Sequence, residues 1–295
     1  MFENFNLSQR KVNGVTINFR HGGKGPPLLL MHGFPQTHVI WHQLADQLAL
    51  YFTLVMPDLR GYGDSEKPRG TAHHENYSKR VMAQDMMELM HALGHTSFDV
   101  CGHDRGGRVA HRLALDHAAC VKKLMIIDIS PTRTMFEATD HRFASAYYHW
   151  FFLSQAYPLP ETLIGNNAEF FINYTLGSLG SKGSTTIFTA EAMAEYRRCF
   201  CDPAMIHAGC EDYRAAATID LVHDQDHEHN KIACPLHVVW GEEGIIAKLF
   251  SPLSDWQQKA LSKVTGKALP AGHFIPDQAP ELLLEEMMVF FVTAR

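Results

Sequence analysis

The 295-residue sequence has no excess of basic residues: 26 lysines and arginines stand against 32 aspartates and glutamates, a formal net charge of −6. No basic stripe runs along any segment, which excludes a general nucleic-acid binder. A small anionic substrate is not excluded, because one local arginine pair outweighs a distant surface charge. No apolar run approaches the roughly 20 residues that span a bilayer, so no membrane partner is expected. The start, MFENFNLSQR, lacks a basic stretch leading into an apolar one, so no secretory signal is expected. Cysteine is sparse, and Cys101, Cys120, Cys199, Cys201, Cys210 and Cys234 show neither zinc spacing nor a disulfide framework. Reduced thiols in a cytoplasmic protein are the expectation. What remains is an ordinary globular composition, 46% hydrophobic and 20% charged, in a chain long enough for a sizeable core.

Short aliphatic runs recur along the chain: Leu28–Met31, TLVMPD, FDVCGH, LMIIDIS and, much later, PLHVVWGEEG. Each has the length and composition of a strand covered on both faces. A further strand is expected at Val15–Phe19. Helical patterns lie between and after them, at Trp41–Leu50, Tyr77–Leu93, Arg105–His117 and Pro280–Phe291. This alternation predicts an α/β fold with a mostly parallel central sheet and helices on both faces. It stops after Asp128 and resumes at Leu236. Residues 131–224 therefore read as an inserted helical cap, and 1–130 with 225–295 as the core that carries it. A cap can close over the strand ends and exclude water.

One serine is missing where it would be informative. VCGHDRGGR, Val100 to Arg108, follows a buried run and opens a helical pattern, as a Gly-x-Ser-x-Gly turn does, but Asp104 occupies the serine position. A serine attacking a saturated carbon would form an ether, which water does not readily cleave. A carboxylate forms an ester, which activated water hydrolyses. Asp104 thus points to displacement at a carbon–halogen bond or an epoxide. The bland alternative is an aspartate that merely caps the following helix.

Hydrolysis of such an ester needs a base, and His273 in LPAGHFIPDQAP lies in a loop before the last helix, with a suitable intrinsic pKa. Asp128, at the end of LMIIDIS, is the expected orienting carboxylate, with Glu242 and Glu243 as fallbacks. MHGFPQ offers the backbone N–H of Phe34, which with that of Arg105 would make an oxyanion hole. Arg105 and Arg108 lie one helical turn apart and can face one site. Together they suit a substrate carboxylate held through forked hydrogen bonds. Arg108 paired with a structural acid is the competing expectation.

The segments HGFPQ, DLRGYGDSEKP, GHDRGGR, DISPT, YYHWFF, CEDYRAAATIDL and PAGHF together resemble the fluoroacetate dehalogenases of the α/β-hydrolase superfamily over nearly the whole chain. The core motifs are shared with haloalkane dehalogenases and epoxide hydrolases; the arginine pair and the cap segments are the specific part. The resemblance implies an α/β-hydrolase fold with Asp104 as nucleophile, His273 as base and Asp128 as its partner. It further implies Arg105 and Arg108 as the carboxylate clamp and His149, Trp150 and Tyr213 as a halide cradle. An imidazole N–H, an indole N–H and a phenol O–H would meet the charge developing on a poor leaving group. Ordinary packing is the alternative for Trp150 and Tyr213.

The activity so implied is hydrolytic dehalogenation of small 2-haloacids, fluoroacetate foremost, to 2-hydroxyacid and halide. Water is the co-substrate, no metal or cofactor is needed, and a homodimer is expected by analogy. Tyr147, Tyr148 and Phe151 are expected to shape the pocket. Three rivals stand beside this reading: a haloacid dehalogenase with poor activity on C–F bonds, an epoxide hydrolase using tyrosines among Tyr147, Tyr148 and Tyr213, and a non-catalytic receptor. HHENY and LVHDQDHEHN lack the spacing of a functional metal site.

Overall fold

The aliphatic runs become neighbouring strands of one sheet. The computed structural model describes residues 1–180 and 184–293; residues 181–183, within the expected cap, and 294–295, at the end of the expected core, lie outside it. The strands are β1 (Asn6–Val12), β2 (Val15–Gly23), β3 (Pro27–Met31), β4 (Thr53–Pro57), β5 (Phe98–His103), β6 (Val121–Ile127), β7 (Leu236–Gly241) and β8 (Thr265–Leu269). Their order is β1-β2-β4-β3-β5-β6-β7-β8. From β4 to β8 the pairs are parallel, while β2 runs antiparallel to β1 and β4. Leu28 to Met31 in β3 and Phe98 to His103 in β5 are buried throughout, as expected of strands covered on both faces.

Helices α1 (Ala45–Leu48), α2 (Lys79–Ala92) and α3 (Arg105–Asp116) precede β6. Among the described residues eight more lie between β6 and β7: α4 (Thr132–Glu137), α5 (His141–Ala146), α6 (Tyr148–Leu153), α7 (Leu159–Gly165), α8 (Ala168–Gly180), α9 (Ala190–Phe200), α10 (Pro203–Ala217) and α11 (Ile219–Asp226). The chain continues through α12 (Ile245–Leu249), α13 (Pro252–Gln257), α14 (Ile275–Gln278) and α15 (Pro280–Met288).

Two local expectations are corrected, and one strand is added. The Trp41–Leu50 helix is only a 3-10 turn, His38–Trp41, followed by the single turn of α1. Trp41, Leu44 and Leu48 are all buried there, so their helix-like spacing records burial rather than a continuous helix. The last helix ends at Met288 and passes into a π turn over Val289–Thr293. Strand β1 carries no hydrophobic signal, because NLSQRKV is an exposed edge with no apolar alternation. Its Asn13-Gly14 hairpin turn, with φ of +43° and +81°, is the signal that marks it.

Register gathers the strand ends. Met31 pairs with Gly102, His103 with Ile127, Ile127 with Val239, and Gly241 with Leu269. The residues that follow each strand therefore emerge along one edge, where open parallel sheets hold their reacting groups. Helix α10 lies over this edge: Gly209 is close enough that a Cβ there would meet the Phe34 ring at 3.2 Å.

Candidate active site

Asp104 connects β5 to α3 through a backbone that few side chains adopt, with φ +48° and ψ −114°. Such a conformation costs about 1–3 kcal/mol and persists where surrounding structure imposes it. Glycines allow the approach: a Cβ on Gly33 would fall 2.4 Å from Asp104 Cβ, and one on Gly102 2.5 Å from the Gly106 carbonyl. The carboxylate does not cap α3. Its Oδ1 instead accepts from the Phe34 backbone N–H at 2.9 Å. Burial opposes ionisation of Asp104, but the positive charges of His273, Arg105 and Arg108 overcome it and hold the pKa below the ordinary aspartate value.

His273 lies after β8, immediately before α14. Its Nδ1 is 2.7 Å from Asp128 Oδ2, which fixes that nitrogen as the donor and turns Nε2 toward Asp104 Oδ2, 3.8 Å away. Asp128 is itself held, its Oδ1 accepting from the Gly241 N–H at 2.9 Å. The fallback acids Glu242 and Glu243 are exposed on the wall of a 680 Å³ cavity that reaches His273 past Tyr147 and Tyr148.

Two further histidines brace these loops. His32 donates from Nδ1 to the Gly33 carbonyl at 2.9 Å and accepts the Leu59 N–H on Nε2 at 3.0 Å, so it is neutral and tethers the Phe34 loop. His103 donates from Nε2 to the His273 carbonyl at 2.8 Å, and burial lowers its pKa to about 3. Both stand inside the MHGFPQ and GHDRG motifs, which was the available signal for them.

The arginines differ in a way the sequence does not reveal. Among the described residues no acid pairs with Arg108: it donates to Thr132 Oγ1 at 2.9 Å and the Ser130 carbonyl at 3.3 Å, and stacks 4.6 Å from the Trp150 ring. Burial, with Arg105 beside it, lowers its pKa to about 10, still cationic at neutral pH. Arg105 is the one with a carboxylate, Asp212 of α10.

The halide-cradle candidates also converge. All three are buried: His149 and Tyr213 pack on the Phe34 ring with centroids 6.3 and 5.2 Å away, and the Trp150 ring lies 6.4 Å from that of Tyr213. Burial lowers the His149 pKa to about 3 and raises that of Tyr213, so both are neutral donors at pH 7. Three buried nitrogens here have no hydrogen-bond partner among the described residues: Arg105 Nη1, Arg108 Nε and Trp150 Nε1. Leaving a buried donor unmet costs roughly 1–3 kcal/mol, more for a charged group. A site that carries three of them suits an anion.

Of the polar tracts, His74 lies against Glu211 at 2.7 Å and Asp224 against Arg112 at 2.7 Å. No described helix is long and apolar enough to cross a membrane, and all six cysteines are free thiols.

The family model of the alpha/beta hydrolase fold matches residues 26–280. The chain is 44% identical over its full length to a fluoroacetate dehalogenase from Burkholderia sp, covering 96% of that protein. It is 31% identical over 290 residues to a soluble epoxide hydrolase from Corynebacterium sp. (strain C12), covering 97% of each. The crystal structure of ALR0039 from Nostoc sp PCC 7120, an alpha/beta hydrolase in name, matches with TM-score 0.97 and 53% identity over 99% of each chain. With fold, strand-end site and sequence in agreement, the chain belongs to the alpha/beta hydrolase family.

Proposed function

We propose that the protein hydrolyses small 2-haloacids, fluoroacetate foremost, to the 2-hydroxyacid and halide. The observation that carries this reading is the set of unmet buried donors on Arg105, Arg108 and Trp150 around an ionised aspartate. Similarity to the Burkholderia fluoroacetate dehalogenase supports it.

Asp104 Oδ1 is tied to Phe34, so Oδ2 is the free nucleophile. In the first step Oδ2 bonds to the halogen-bearing carbon as the carbon–halogen bond breaks. The halide leaves with its electron pair into the donors of His149, Trp150 and Tyr213, while Arg105 and Arg108 hold the substrate carboxylate. In the second step His273 Nε2 takes a proton from water, and the hydroxide bonds to Asp104 Cγ. Negative charge gathers on Oδ1, which already accepts from the Phe34 N–H, with the Arg105 N–H as the proposed second donor. Collapse breaks the Cγ–Oδ2 bond, His273 returns the proton to the departing alkoxide, and Asp104, left as the acid by the oxygen from water, loses its proton to solvent to regenerate the carboxylate.

Residues 131–224 act in this proposal as a cap over the core of residues 1–130 and 225–295. The protein works in the cytoplasm as a homodimer, without metal or organic cofactor. Leu159, Leu163, Phe170 and Tyr174, each half or more exposed on α7 and α8, supply an apolar face for the second copy. A dimeric mass by light scattering is the expected result.

The test of function is fluoride release from fluoroacetate, read by ion-selective electrode, with Asp104→Asn as control. Release that vanishes in the variant is expected. Turnover of chloroacetate without fluoroacetate would favour a haloacid dehalogenase weak on C–F bonds. The epoxide hydrolase reading has its own support in the Corynebacterium relative and in Tyr147 and Tyr213, both buried and both influenced by the Asp104 charge. Turnover of styrene oxide without any haloacid would establish it.

A further inference from the structure

Most of the Arg105 donors are already engaged. Its Nε donates to Asp212 Oδ2 at 2.9 Å, and its Nη2 donates to Oδ1 at 2.5 Å and to the Asp212 carbonyl oxygen at 2.9 Å. Neither side chain is exposed to solvent. Asp212 also accepts from the Tyr62 hydroxyl at 2.6 Å and from Lys79, and Lys79 lies 3.4 Å from Asp220 Oδ2. Charge thus alternates along a buried row, Arg105, Asp212, Lys79 and Asp220, that ties α3 and α2 to α10 and α11. The row is neutral as a whole.

A guanidinium is planar and rigid, so pinning Nε and Nη2 along one edge fixes the direction of the third nitrogen. Nη1 is the Arg105 nitrogen left unmet. The same contact reaches the other end of the site. Asp212 immediately precedes Tyr213, its carbonyl belongs to the peptide that joins them, and the Arg105 guanidinium carbon lies 4.4 Å from the centre of the Tyr213 ring. Fork and ring are therefore set as one unit.

Building on the reaction proposed above, we propose that Asp212 is a positioning residue: it presents Arg105 Nη1 to the substrate carboxylate and holds Tyr213 in the halide cradle. Arg105 then contributes direction, its charge being met by Asp212, while Arg108 supplies the uncompensated positive charge. Loss of Asp212 disturbs both ends of the substrate, the carboxylate and the leaving group.

The experiment uses Asp212→Asn and the milder Tyr62→Phe, which keeps every charge and removes one hydrogen bond to Asp212. Acetate binding by calorimetry reads the carboxylate grip without any turnover. Steady-state kinetics on fluoroacetate and chloroacetate read the leaving-group end. Asp212→Asn is expected to weaken acetate roughly ten-fold, the scale of one charge-assisted hydrogen bond. It should raise KM and lower kcat for fluoroacetate by a larger factor than for chloroacetate, because fluoride depends more on the cradle. Tyr62→Phe should show the same pattern, smaller, and decides the matter if the first variant does not fold. Unchanged acetate affinity and KM, with kcat falling equally for both acids, would mean a structural role and overturn the proposal. If the wild-type protein releases halide from neither acid, the functional reading fails separately, and acetate binding still judges the placement of Arg105.

Discussion

His273 Nε2 stands 3.8 Å from Asp104 Oδ2 while His273 Nδ1 lies 2.7 Å from Asp128 Oδ2, so one imidazole sits between two carboxylates with a hydrogen bond to only one. Burial opposes its protonation, but the hydrogen bond and charge of Asp128 and the charge of Asp104 overcome it, so His273 holds its proton above the ordinary histidine value. In the proposed reaction, forming the ester removes the Asp104 charge. Alkylation therefore lowers the His273 pKa and favours the neutral base just when water must be activated. The acid limb of the kcat–pH profile should lie below the pH at which His273 titrates by NMR in the resting enzyme. Coincident values, or a kcat limb at higher pH, would contradict this coupling.

Arg108 is a buried cation with no acid paired to it among the described residues, an arrangement that costs stability unless an anion joins it. Arg108→Met should raise KM for haloacids about 100-fold or more, as expected for losing a buried charged contact of roughly 3 kcal/mol. Its Tm should hold or rise, unlike the fall that follows removal of one partner of a buried ion pair. A clear loss of Tm with KM unchanged would assign Arg108 to structure.

Trp150 contributes a ring packed on Phe136 and Phe143, and an indole N–H without a partner. Trp150→Phe keeps much of the ring and deletes the donor. Turnover of fluoroacetate should fall about ten-fold or more, and chloroacetate less. Thermal stability should fall only by the cavity that the smaller ring leaves beside Phe136 and Phe143, since no protein hydrogen bond is lost. Equal losses on both substrates would argue for packing alone.

Asp277, four residues beyond His273, is buried with Gln36 Nε2 donating to its Oδ2 at 3.0 Å. Burial raises its pKa to about 8, with the Gln36 bond opposing. The folded state therefore binds a proton that the unfolded chain releases near pH 4. Stability falls as pH rises between those values, because the folded form holds the extra proton. Asp277→Asn should raise Tm at pH 8 and change it little near pH 4, which thermal melts at both values will show. A gain independent of pH would contradict the buried neutral acid.

Much of this was legible in the chain. Strands β3 to β7 are short buried aliphatic runs, and Asp104, Asp128 and His273 follow strands or sit in glycine-bounded loops, where local sequence signals chemistry. Arg105 and Arg108, one turn apart on α3, look equivalent in sequence. Which of them owns an acid depends on where the fold sets Asp212 of α10, more than a hundred positions later in the chain. Burial of Asp277 and the bracing by His32 and His103 likewise arise from tertiary packing, which periodicity does not encode.

The proposed covalent ester on Asp104 is open to one direct measurement. His273→Asn retains the nucleophile and lacks the base, so incubation with fluoroacetate or chloroacetate should release about one halide per site and stop. Peptide mass spectrometry should then find a carboxymethyl group on Asp104. Continued turnover by this variant, or halide release with Asp104 unmodified, would contradict the account.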